Sequence, residues 1–341
     1  MLDERGAEPA ISVVIPVLLR RAEPGIPMLR RALESVRDQR FPGPMEVVVV
    51  DDGSPRPVAE AQAALGPAGI GVRFLRQTRN MGVTSALNAG LQAARHPLVA
   101  RLDADDVWRP GKIERQAALF AADPDLTLTA TGMVLVSPEG KTLAEHVRPA
   151  DWEPILDFCV DVGCPFPHGS VLARRDIYLV LGGYPHLACY ETCEDFALWS
   201  LWLRFFKPRM LREVLYEYTV SPGAVSQRHG DRQRKASDLL RADLRKLALS
   251  RTAPAAMAAF ADALGLSLVE AGVVAWRMWR FGLAVALPEA AIPPLRAAMP
   301  DRDVEVRLSD PAAVEVRDVL APRPQAGLAR GGPIVRARPL A

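Results

Sequence analysis

The chain has 341 residues, 49% hydrophobic and 24% charged, with a formal net charge of +2, which allows a large core in one large domain or two smaller ones. No block of Lys and Arg is interleaved with aromatics, so nucleic acid is excluded as a partner. No run reaches the ~20 apolar residues of a membrane span, and the start Met1-Leu2-Asp3-Glu4-Arg5-Gly6 lacks the layout of a signal peptide, so a cytoplasmic protein is expected.

In chain order, apolar runs alternate with helix-like stretches. Residues 11–17 read as a first strand, 28–37 as an amphipathic helix and 46–50 as a second, fully apolar strand. A third strand at 72–75 precedes a helix over 83–94, and 98–102 is a fourth. β-Branched runs separated by helices predict an α/β fold with a mainly parallel central sheet covered on both faces. Residues 127–136 read as a further strand, closed by the turn Ser137-Pro138-Glu139-Gly140. Residues 151–167 are irregular, 170–173 a short strand, and 194–206 a strongly amphipathic helix whose Trp199 and Trp202 are assigned to the core. Residues 231–287 are helical, and from Asp301 the pattern weakens into Pro, Arg and Gly, as in a loosely ordered end.

In parallel sheets ligands bind beyond the carboxyl ends of the strands, and the acids fall there: Asp51-Asp52-Gly53-Ser54 after the second strand and Asp103-Ala104-Asp105-Asp106 after the fourth. Three carboxylates within four residues repel one another and are costly to desolvate, which calls for a cation. Oxygen ligands of this kind suit Mg²⁺ or Mn²⁺, which bridge protein carboxylates to substrate phosphates. A solvated turn with a helix cap is the plainer reading of each acidic motif. Arg101, unusual in a buried strand, is expected to snorkel or to pair with an acid. The cysteines Cys159, Cys164, Cys189 and Cys193 do not have zinc-site spacing and read as packing thiols.

Five motifs stand in order: 12–17 (Ser-Val-Val-Ile-Pro-Val), 50–54 (Val-Asp-Asp-Gly-Ser), Arg79-Asn80-Met81-Gly82 with Leu87-Asn88-Ala89-Gly90, 102–106 with Pro110, and Cys193-Glu194-Asp195 opening a helix. Over residues 10–228 this resembles family 2 of the inverting, nucleotide-sugar-dependent glycosyltransferases, with their GT-A fold. The resemblance implies that Pro16 and Val17 line the nucleotide pocket, and that Asp51 or, by preference, Asp52 bonds the base. It implies that Asn80 and Gly82 shape the adjoining loop, beside which Arg79 offsets diphosphate charge. Asp103 would contact ribose or metal, Asp105 would ligate the metal, and Asp195 would be the base that deprotonates the acceptor hydroxyl. Asp106 is expected to cap the helix near Pro110, and His168, under the acceptor site, carries little weight alone.

The implied activity is transfer of a sugar from a nucleoside diphosphate donor, UDP-linked by preference, to a hydroxyl of a glycan or lipid-linked acceptor, in cell-surface polysaccharide assembly. The implied domains are a tail at 1–9, the GT-A domain at 10–230, a helical extension at 231–300 and a loosely ordered tail at 301–341. One departure is that Thr219 and Ser221 stand where relatives carry the Arg and His of a Tyr-Arg-x-His segment; Arg228 or His229 could substitute. That departure motivates a rival reading, a degenerate GT-A fold serving as a sugar-nucleotide binder or partner subunit. A haloacid-dehalogenase phosphatase with Asp103 as nucleophile is disfavoured, because the motif follows three other strands and a convincing catalytic Lys is lacking. The alternation Trp276-Arg277-Met278-Trp279-Arg280-Phe281 reads as a packed helix with its arginines outward in preference to a peripheral contact at the inner face of the plasma membrane.

Overall fold

β-Branched residues dominate Ile11–Val17 (β1), and all seven of its residues are buried. After helix Gly25–Arg37 (α1), Met45–Asp51 (β2) pairs parallel with β1, Val17 lying opposite Asp51. Gly71–Arg76 (β3) extends the parallel set beyond β2, helix Val83–Ala93 (α2) covers it, and Leu98–Arg101 (β4) joins β1 from the other side. A computed structural model describes residues 9–20, 25–61, 71–187, 190, 192–220, 230–246, 253–307, 314–320 and 334–339. Ser221, Arg228, His229, Cys189 and the first eight residues of the expected tail lie outside the described residues.

The chain continues through Val107–Trp108 (β5), Lys112–Ala122 (α3), Leu128–Val136 (β6), Thr142–His146 (β7), Trp152–Asp161 (α4), Leu172–Arg174 (β8), Arg175–Leu181 (α5), Glu194–Phe205 (α6) and Pro208–Thr219 (β9). Nine strands make one sheet in the order β3-β2-β1-β4-β8-β6-β9-β5, with β7 on β6. The expected α/β architecture holds, and its parallel part is β1 to β4. The pairs β4–β8, β6–β8, β6–β7 and β5–β9 are antiparallel. Helix α6 is buried along nearly its whole length rather than amphipathic, and Trp199 and Trp202 are fully buried core.

Two compact units divide the chain differently from the expected boundary at 230. The first comprises Met1–Ala150, Cys164–Leu198 and Arg209–Ser237; the second comprises Asp151–Gly163, Trp199–Pro208 and Asp238–Ala341. The second contains helices Gly230–Lys246 (α7, from residue 238 onward), Ala253–Leu264 (α8) and Leu268–Phe281 (α9), strand Ala284–Ala286 (β10) and helix Ile292–Ala298 (α10). Beyond them come Arg302–Arg307 (β11), Val314–Glu315 (β12), Val316–Leu320 (α11) and Ile334–Pro339 (β13). Strand β10 lies within the expected helical extension at 231–300, and the described residues of the expected tail at 301–341 include β11, β12, α11 and β13. A four-stranded sheet, β11-β13-β10-β12, uses strands from both stretches.

Within the second unit, buried Arg204 pairs with Asp301, which also accepts from Trp279 Nε1 at 3.0 Å. Trp276 stacks on Trp279 with ring centroids 5.4 Å apart, and Arg277 donates to the Val319 carbonyl. The aromatic–arginine alternation is thus spent largely on packing, with Arg280 and Phe281 exposed. Among the described residues no single helix is long and apolar enough to cross a membrane; α8 and α9 pass that test only as a pair bent by 102°.

Gly90 sets how closely α2 approaches the sheet. A Cβ there would lie 2.3 Å from Val14 Cγ1 on β1 and 3.3 Å from Val50 Cγ2 on β2. Gly90→Ala is expected to gain helix propensity but lose more to overpacking, a net destabilisation of about 1–3 kcal/mol, read as a lower denaturant midpoint at unchanged slope.

Candidate functional site

The turn after β2 is held by its own acids. Asp51, 2% exposed, accepts from the Ser54 amide (2.8 Å), the Val58 amide (3.0 Å) and Arg76 (2.6 Å). Burial alone would raise its carboxyl, but the bonds from Ser54 and Val58 and the charge of Arg76 outweigh burial and hold it below its ordinary value. Asp52 receives the Met81 amide at 2.7 Å and the Gly82 amide at 3.0 Å, which ties this turn to the loop before α2. Burial dominates over those bonds and leaves Asp52 above its ordinary value. Gly53 has φ 73°, and a Cβ there would stand 2.3 Å from the Arg79 carbonyl carbon, so only glycine lets the two loops meet. Asn80 Oδ1 also accepts from Gly82 N at 3.0 Å, a local turn and not a helix cap. Pro16 and Val17 lie at the end of β1 opposite Val50 and Asp51.

The acids after β4 divide their work. Arg101, the last residue of β4 and 5% exposed, donates from both terminal nitrogens to the two oxygens of Asp103. Burial works against the guanidinium, but the charge of Asp103 more than offsets it, and Arg101 stays above its ordinary value. Asp105 makes no side-chain hydrogen bond among the described residues beyond one to its own backbone amide, and burial and the charge of Asp103 outweigh that bond and the charge of Arg101 and push it up to about 6. Asp106 is 1% exposed and accepts from the Tyr216 hydroxyl and from Thr219 N at 2.7 Å. Burial and the charges of Asp103 and Asp105 push it well above its ordinary value. The expected cap role is thus corrected: α3 has Gly111 at its N-cap with no side-chain cap, and Asp106 fastens β9 instead. Thr219 gives its hydroxyl to the Asp105 carbonyl at 2.6 Å.

Glu194 and Asp195 open α6, two residues after Thr192, whose φ of 71° is unfavourable for a β-branched residue. Asp195 Oδ1 accepts from Phe196 N at 2.7 Å and Oδ2 from the Cys164 thiol at 3.6 Å. His168 Nδ1 stands 3.9 Å from the same oxygen, beyond hydrogen-bonding distance, while its Nε2 shares a 2.7 Å bond with the Tyr184 hydroxyl. Burial raises Asp195, opposed by the Phe196 amide, Arg101 and Cys164. Burial and the charge of Asp195 push Glu194 to about 7, and burial and Arg101 hold His168 well below its ordinary value, hence neutral. Arg101 and Asp103 both act electrostatically on Glu194, and Arg101 acts on Asp195, so the charges after β4 are felt by the acids opening α6.

Among the described residues no three His, Cys, Asp or Glu side chains converge as a ready-made metal cage. The donor set still fits Mg²⁺ or Mn²⁺, hard ions that take one or two carboxylates and complete their shell with water and substrate phosphate. Asp105 is an uncompensated acid of that kind. Sequence reasoning missed Tyr184, whose backbone exchanges bonds with Asn88 on α2 (2.8 and 2.9 Å) while its hydroxyl reaches His168. The preceding Gly182-Gly183, both with positive φ, was the available signal.

Residues 12–180 match the family model described as glycosyl transferase family 2. The amylovoran biosynthesis glycosyltransferase AmsE of Erwinia amylovora is 29% identical over 59% of this chain and 74% of its own length. A UDP-Gal:alpha-D-GlcNAc-diphosphoundecaprenol beta-1,3-galactosyltransferase of Escherichia coli is 26% identical over 50% of this chain and 60% of its own. Among solved structures, S. aureus TarS 1–349 in complex with UDP-GlcNAc is 18% identical, covering 63% of this chain and 60% of that one, with a TM-score of 0.49. The chain belongs to glycosyltransferase family 2 and has the GT-A fold.

Proposed function

We propose that the chain is a hexosyltransferase that moves a sugar from a UDP-linked donor to a hydroxyl of a glycan or lipid-linked acceptor, with inversion, in the cytoplasmic assembly of a cell-surface polysaccharide. One observation supports this reading: the charge of Arg101, which grips Asp103, is felt at both Glu194 and Asp195. The names of the Erwinia and E. coli relatives support the pathway, the UDP donor and the lipid-linked acceptor.

In this reading Pro16 and Val17 line the nucleotide pocket. Asp52 accepts the imide N–H of uracil through a lone pair left over from its two amide bonds, while Asp51 spends its oxygens on the turn. Asn80 and Gly82 shape the neighbouring loop. Asp105, with Asp103 beside it, holds Mg²⁺ or Mn²⁺, which when bound offsets the charge of the departing diphosphate. Asp195 takes the acceptor's hydroxyl proton as that oxygen attacks the anomeric carbon from the face opposite the leaving nucleotide. Cys164 and the Phe196 amide orient the carboxylate for that transfer. The degenerate-fold reading keeps one motive, since Thr219 is spent on a backbone carbonyl and offers no charge to a diphosphate.

Titrating the chain calorimetrically with UDP, GDP and their sugar conjugates in Mn²⁺, and again in EDTA, is expected to show uridine-specific binding that Mn²⁺ strengthens and Asp105→Ala weakens. Failure to bind any nucleotide sinks the donor site, and binding without turnover across varied acceptors favours the degenerate fold. Asp195→Asn is expected to lower kcat by about 10²–10⁴ with donor affinity within a few-fold. Because the base works ionised and burial raises Asp195, kcat/KM should fall as pH drops through a value above the ordinary carboxylate pKa of about 4. A flat profile down to that pH would contradict Asp195 as the base.

A further inference from the structure

The Asp103 carboxylate, one of the two expected metal ligands, has a cation on it already. Arg101 grips both of its oxygens in the paired geometry that a planar guanidinium offers a carboxylate. The two partners are unequally placed: the Arg101 side chain is 6% exposed and that of Asp103 is 28% exposed. Arg101 cannot slide away, because its backbone pairs opposite Val14 and its amide donates to Val171 O at 3.1 Å. Its Nε, fully buried, has no hydrogen-bond partner, so the guanidinium has little to hold it except Asp103. Asp103 is the partner able to turn outward. Asp105, two residues on, feels the charge of Arg101 but makes no ion pair with it or with another cation among the described residues.

We propose that Arg101 is the resident cation of this site and sets its affinity for divalent metal, closing Asp103 so that an ion first binds through Asp105 and must compete with the guanidinium for Asp103. The inference rests on the donor-site reading in treating these acids as the metal's ligands. It makes Arg101 a positioning residue rather than one that touches substrate. A fixed positive charge a few ångströms from an incoming divalent ion opposes it, and the same charge removes one carboxylate from the available ligands, so both effects weaken metal binding.

The test uses Mn²⁺ alone, with no nucleotide, added to the full chain and followed by loss of the free-ion paramagnetic resonance signal. Arg101→Met keeps bulk and removes both charge and grip, and is expected to bind Mn²⁺ at least about tenfold more tightly than the wild type. Arg101→Lys keeps the charge but loses the paired grip, and should tighten binding by about threefold. Circular dichroism and the thermal midpoint establish that each variant is folded, and if Arg101→Met does not fold then Arg101→Lys decides. Tighter Mn²⁺ binding, or its appearance where the wild type shows none, supports the proposal. Equal or weaker binding in a folded variant, or none in either protein, overturns it. Because nucleotide is absent, this result is separable from failure of the donor-site reading, which the UDP titration in Mn²⁺ and in EDTA reports by itself.

Discussion

The parallel register of β1 between β2 and β4 is the constraint from which the site follows. Val17 lies opposite Asp51 and Val14 opposite Arg101, so the strands deliver Asp52 and Asp103 to neighbouring loops. Side chains alternate between faces along a strand, so a slip of one residue would turn each delivered group to the other face. The slip is opposed by burial, since β1 and β4 are buried throughout and β2 over its last five residues. Apolar area holds the register, and the register, not the loops, aims the acids. Gly90 serves the same end by letting α2 lie close on β1 and β2.

Once delivered, the acids create an electrostatic problem that the fold solves in three different ways. Asp51 is satisfied by amides and Arg76, Asp106 by the Tyr216 hydroxyl and the Thr219 amide, and Asp103 by Arg101. Two of these carboxylates also do structural work, Asp51 closing a turn and Asp106 fastening β9 just before β5. Among the described residues Asp105, Glu194 and Asp195 lack an ion-pair partner of that kind and keep raised values. Raised carboxylates in a shared site mark places where charge is to be supplied or a proton received. In the proposed function two of these acids take those parts, Asp105 toward a cation and Asp195 toward a hydroxyl proton.

Much of this was legible in the sequence, and the failures have physical causes. Asp51-Asp52-Gly53-Ser54 and Asp103-Ala104-Asp105 were readable because both follow apolar runs of unmistakable strand type, where position alone implies the carboxyl end of a parallel sheet. The assignment of Asp106 to a helix cap failed because capping is a local inference, whereas its actual partners lie 110 and 113 residues away. Tyr184 was missed for the same reason, with Asn88 96 residues distant. The second unit takes in 151–163 and 199–208 from the middle of the chain and closes its sheet with strands from the weakly patterned end, which no local pattern announces. No periodicity within a segment encodes which distant segment it joins.

The Tyr184 connection also joins the loop before α2 to the start of α6. Helix α2 follows the loop whose Met81 and Gly82 amides Asp52 holds, and its Asn88 grips the backbone of Tyr184 through both polar atoms of the amide. Gly183 is required there, since a Cβ would come within 2.4 Å of Asn88 Oδ1. The Tyr184 hydroxyl bonds His168, whose ring lies beside Asp195, and the 168–170 turn is anchored from below where Trp108 Nε1 donates to Gly169 O at 2.7 Å and Gln116 donates to Ser170 O at 3.0 Å. Held neutral by burial and Arg101, His168 adds no charge to compete with Arg101 for Asp195. The loop at Met81 and Gly82 and the carboxylate of Asp195, which the proposed function gives to donor and acceptor, are therefore joined through α2, Tyr184 and His168 by hydrogen bonds and packing.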